Sequence, residues 1–162
     1  MRHRVLIAGI GNVFLGDDGF GVKVAQRFRE QALPFGTRVV DYGVRSMQLA
    51  SDLLSPPELL ILVDVTRRGE PPGTLYVTDP EKELEALRQA EGSDVRGSNL
   101  RSILAAVDWM GGRMPRTRVL ACERGYFNEG MRLSAPVRRA VRPAIDLIRR
   151  LIAREVTHHE YA

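Results

Sequence analysis

The run from Gly9 to Gly21, GIGNVFLGDDGFG, constrains this chain more than any other stretch. Val5-Leu6-Ile7-Ala8 just before it is a short unbroken apolar run, the pattern of a strand buried on both faces of a parallel sheet, and the segment from Phe20 onward reads as a helix. Strand, loop and helix in that order open the loop onto the crevice beyond the carboxyl ends of the strands. In open α/β sheets that crevice is where ligands bind. Five glycines in the run allow close backbone approach, and two adjacent carboxylates, Asp17 and Asp18, bring charge to it.

Two familiar glycine loops are excluded. A dinucleotide fingerprint needs a third glycine where Phe14 stands, and a phosphate-cradling loop needs a Gly-Lys-Ser/Thr ending, whereas the two lysines are Lys23 and Lys82. Paired aspartates would in any case repel a phosphate. They suit a cation, or hydrogen bonds to nearby backbone, and one of them is expected to cap the helix that follows. A second apolar run, Leu59 to Val63, ends in Asp64, so this acid lies on the same edge of the sheet as the glycine loop. In such a position an aspartate either bonds to turn amides or holds a ligand.

Taken in order, four blocks resemble the hydrogenase maturation endopeptidases, the family that removes a C-terminal extension from [NiFe]-hydrogenase large subunits. The first is Gly9-Ile10-Gly11-Asn12 with Gly16-Asp17-Asp18-Gly19-Phe20-Gly21, and the second is Val39-Val40-Asp41-Tyr42-Gly43. The third is Leu62-Val63-Asp64 followed by Pro72-Gly73-Thr74-Leu75-Tyr76-Val77. The fourth is Val119-Leu120-Ala121-Cys122-Glu123, then Gly130-Met131-x-Leu133-Ser134 before a long terminal helix. The resemblance implies that Asp18 and Asp64 are metal-contacting and catalytic acids, and Asp41 and Gly43, in the turn after the second strand, are candidate substrate-binding residues together with Arg96. It also implies nickel supplied by the substrate rather than a permanently bound cofactor, and a large-subunit precursor as partner.

The family's third metal contact is a histidine, and Arg96 stands in its register. The histidines here are His3, His158 and His159, all in end segments, so no interior imidazole supports Ser-His or Cys-His catalysis. Arg96 is either a solvated loop residue or a cation taking the metal's space, pairing with Asp18 or Asp64 and holding their pKa values low. Asp94 and Glu123 are conceivable replacement ligands that nothing in the sequence selects. Two functions therefore stand: an endopeptidase, or a catalytically silent binding protein on the same scaffold.

A lone cysteine, Cys122, forms no intrachain disulfide and reads as a small buried residue. Trp109 and Met110 read as packing residues closing a helix from Leu100. At 162 residues, 44% hydrophobic and 27% charged, residues 1–162 read as a single domain with ample core. Without a signal-like apolar start or a membrane-length apolar run the chain is expected to be cytoplasmic and free of membrane. Eleven arginines between Arg113 and Arg154 give the C-terminal third a positive face. Interleaved aromatics are missing, so a solvated helix face is expected rather than a nucleic-acid partner.

Strands alternating with helices predict a three-layer α/β/α domain. A strand from Thr74 follows Asp64 too closely for a crossover helix and is expected to run antiparallel at the sheet edge. The resemblance implies the same mixed, mostly parallel five-stranded sheet. The segment from Glu81 reads as a solvated helix, broken at Gly92-Ser93.

Overall fold

The computed structural model describes residues 4–91, 99–125 and 130–157. Its elements run β1 (Val5–Ile10), a single 3-10 turn (Gly16–Gly19), α1 (Phe20–Arg29), β2 (Thr37–Gly43), α2 (Ser46–Asp52), β3 (Leu59–Thr66), β4 (Leu75–Thr78), α3 (Pro80–Glu91), α4 (Asn99–Trp109), β5 (Thr117–Glu123) and α5 (Ala135–Thr157). The sheet order is β2-β1-β3-β5-β4, with every pairing parallel except β4 against β5. This is the mixed five-stranded sheet expected from the sequence, and its antiparallel strand is at the edge.

The unbroken apolar runs of β1 and β3 divide between two cores with a period of two. Val5 and Ile7 of β1 and Leu59, Ile61 and Val63 of β3 pack against Val24 and Phe28 of α1 and against Val141, Ile145 and Ile148 of α5. Leu6, Ala8, Leu60 and Leu62 face the other way, onto Leu49 and Leu53 near α2 and Leu100, Ile103 and Val107 of α4. A strand covered on both sides has no polar face, which is why its sequence does not alternate. α5 is amphipathic as expected, with Arg138, Arg139, Arg142, Arg150 and Arg154 exposed.

Two readings change. Trp109 does not pack: it is 78% exposed at the end of α4. α3 is not simply solvated, because Glu83 and Leu87 are buried along one side of it. Glu83 can be buried because the Arg68 guanidinium pairs with it while lying 4.3 Å above the Tyr76 ring.

The β1–α1 junction sets the site. A Cβ on Gly21 would lie 2.0 Å from the Val63 carbonyl oxygen and 2.5 Å from that of Ile10, so only glycine lets α1 start directly over the ends of β1 and β3. β1 lies between β2 and β3, and its junction with β3 is where strand order reverses. A crevice opens at such a reversal.

Candidate active site

Asp64 is not the last residue of its strand. β1 stops pairing with β3 at Gly9–Val63, whereas β5 continues to pair as far as Thr66–Glu123. The three further residues of β3, Asp64 to Thr66, are held from one side only, and Asp64 stands just past the point where β1 has ended. It is half-buried.

Asp18 reaches the same place from the 3-10 turn. Neither aspartate caps α1, contrary to expectation: Gly19 occupies the cap position and no side chain bonds to the first-turn amides. The Asp18 carboxylate instead turns back, and the Asn12 N–H donates to its Oδ2 at 2.8 Å. Asp17 points away from the crevice. It is buried, and accepts from the Ser134 N–H at 2.6 Å, the Ser134 hydroxyl at 2.8 Å and the Gly125 N–H at 2.9 Å.

Between Asp18 and Asp64 lies Asn99, the first residue of α4. Its Nδ2 donates to both Asp64 oxygens, at 3.3 and 3.4 Å, and its side chain also hydrogen-bonds to Asp18. Both carboxyls are harder to ionise than usual. Burial raises the pKa of Asp18 above 3.8, and the Asn12 amide, the Arg124 charge and Asn99 counter it only in part. Asp64 is raised well above 3.8 by burial first and by the negative charge of Asp18 second, against the Val65 N–H and Asn99; Glu83 adds to the rise. The expectation of lowered values is thus reversed among the described groups, because desolvation outweighs the nearby donors.

The remaining candidates lie around this pair. Asp41 and Gly43 close β2 on the flank of the glycine loop, where the Gly11 N–H donates to the Gly43 carbonyl at 3.0 Å and Gln26 donates to Asp41 at 3.3 Å. Arg96 and Asp94 lie outside the described residues. Glu123 is unsuited to ligation: its carboxylate is buried and accepts the Arg68 N–H at 2.8 and 3.0 Å and the Glu70 N–H at 2.6 Å, closing the β3–β4 turn. Cys122 is buried, and burial with the charges of Asp17 and Glu123 pushes its thiol up to about 12, so it is no nucleophile near neutral pH. Among the described residues no three histidine, cysteine or acidic side chains group as a complete metal site.

The model of the family described as hydrogenase maturation protease matches residues 22–151. The chain belongs to that family. It is similar to the hydrogenase expression/formation protein HupD of Bradyrhizobium diazoefficiens, 30% identical over 154 residues, which cover 93% of this chain and 79% of that protein. The HupD of Rhodobacter capsulatus is 34% identical over 122 residues, 75% of this chain and 57% of that protein. The fold is that of the hydrogenase maturating endopeptidase HybD from Escherichia coli, with TM-score 0.78 and 21% identity over 96% of this chain and 94% of that one. A hydrogenase 2 maturation peptidase from a Thaumarchaeota archaeon superposes with TM-score 0.65 at 29% identity, covering 93% and 97% of the two chains. Membership places the chain among the hydrolases, in a family of endopeptidases. Among the described residues no helix is long and apolar enough to cross a membrane.

Asn99 and Arg124 are the site residues that sequence reasoning missed. An asparagine opening a helix reads as a cap, and only the folding of α4 against β3 brings its amide to Asp64. Arg124 follows the last residue of β5, a strand-end position that carried a signal only for acids.

Proposed function

We propose that this protein is an endopeptidase that removes the C-terminal extension of a [NiFe]-hydrogenase large-subunit precursor, and that the precursor's own nickel docks on Asp18 and Asp64. The observation that carries this is the convergence of two hard-to-ionise carboxyls on one amide at the sheet's switch point, in a chain of the hydrogenase maturation protease family. Two half-buried carboxyls share a crevice in which the Arg124 charge offsets the burial of Asp18 only in part, and a cation would supply further positive charge. Because a precursor-bound nickel brings ligands of its own, two oxygens are enough to orient it, even though an all-oxygen set would hold the free ion weakly. The docked cation polarises the scissile carbonyl or a water beside it. The chain's part is to fix the cation's position and, through the Asp41–Gly43 turn, to seat the peptide alongside it. The setting proposed for this reaction is the cytoplasm.

Arg96, where a histidine is expected, favours the second reading, a scaffold that recognises the precursor without cutting it. Incubation with a nickel-loaded precursor separates the two. Wild-type protein should remove the tail, and Asp18→Asn should slow removal more than 100-fold with its thermal melting intact. An uncut tail with wild-type protein, in a complex that still forms, selects the binding protein.

A further inference from the structure

We propose that Asn99 is the third member of this site, donating to both carboxylates in the free protein and, after a half-turn of its amide, offering Oδ1 as an oxygen ligand to the substrate's divalent cation. The inference rests on the docking role of Asp18 and Asp64 given above. Its geometric basis is the spacing of the amide from Asp64. Two donors each about 2.1 Å from one cation stand about 3.0 Å apart at a right angle and about 3.4 Å apart at a tetrahedral angle. The amide nitrogen of Asn99 lies 3.3 and 3.4 Å from the two Asp64 oxygens, a separation that two ligands of one cation also have.

Which end of the amide stands at that separation depends on what lies between the acids. Facing two carboxylates and no cation, the NH2 end must point inward, because a carboxylate only accepts and an inward carbonyl would meet like charge. With a cation between them the preference inverts. The amide torsion is broad and roughly two-fold, and oxygen and nitrogen are nearly the same size, so exchanging them needs no movement of α4. Asn99 is half-buried at the first residue of α4, where its own backbone N–H needs no helical partner. The free protein then keeps its acids apart and facing one point until the cation arrives.

Calorimetric titration of the full-length chain with nickel chloride tests this without any precursor. Asn99→Leu, close in shape but without polar atoms, should bind nickel at least tenfold more weakly than wild type. Asn99→Asp should bind at least tenfold more tightly. Ser102→Asp, exposed one turn along α4, adds the same charge away from that amide and serves as reference. Nickel affinity in Asn99→Asp no higher than in Ser102→Asp overturns the proposal, as does wild-type affinity in a folded Asn99→Leu. If wild-type binding is too weak to measure, the two aspartate variants alone decide. Cleavage that depends on Asp18, together with no gain in Asn99→Asp, removes Asn99 and leaves the endopeptidase reading in place. Tighter nickel binding without precursor cleavage does the reverse.

Discussion

Asp17 and Asp18 are neighbours in the chain, yet they meet opposite surroundings. Asp17 is the more deeply buried of the two, and its carboxylate is met by two backbone amides and a hydroxyl, as that of Glu123 is met by turn amides. Asp18 and Asp64 are less enclosed but have fewer donors, and both resist ionisation. Burial alone therefore does not mark a reactive acid. What separates the two regions is whether the fold supplies enough donors for the charge, and where it does not, the carboxyl resists ionisation.

The largest effect is expected where the donors are. Asp17→Ala leaves the Ser134 and Gly125 amides facing an apolar methyl group and should cost about 3–5 kcal/mol in chemical denaturation, several unmet buried donors at about 1–3 kcal/mol each. A loss below about 1 kcal/mol would erase the contrast with Asp18. Replacing an acid on the other side should do the opposite to stability. Asp64 has a raised pKa in the folded state, so the favourable protonated form is fully present below the unfolded value near 3.8 and is lost as pH rises through the folded one. Near neutral pH the ionised group thus destabilises the fold. Asp64→Asn should melt a few degrees above wild type at pH 7, with the gain shrinking as pH falls toward 4, and should be inactive. An equal melting gain at both pH values would mean that charge is not the cause. For the same reason wild-type cleavage should fall on the acid side at a pH above the ordinary carboxylate range, which a pH–rate profile would read. The smallest change is expected on the flank: Asp41→Asn keeps the hydrogen bond with Gln26 and should raise KM by no more than about tenfold with kcat unchanged, whereas a collapse of kcat would move Asp41 into the cation site.

How much of this was legible depended on sequence distance. The glycine loop, the two buried strands and the strand-edge position of Asp64 could be read directly, because apolar runs and glycines report local geometry. The antiparallel edge strand followed from a connection too short for a helix. The destination of Asp17 could not be read: its partner Ser134 lies 117 residues away, and a helix-start aspartate has a nearer and commoner use. Glu83 looked solvated within its charged run, because the guanidinium that permits its burial comes from another element. Trp109 looked buried because size and apolarity suggest a core, although at the end of α4 it is exposed.

The bonds from Asp17 to Ser134 have a consequence in time. The turn that carries Asp18 is also held by Gly130, whose N–H donates to the Phe14 carbonyl while the Gly16 N–H donates back to its own. On a ribosome adding about 5–20 residues per second, the partner of Asp17 is made roughly 6–23 s after Asp17 itself. Until then the turn that carries Asp18 lacks the bonds to Ser134 and Gly130 that hold it in the finished fold. A protein whose proposed task is to recognise nickel only within a finished partner thereby assembles its own site late.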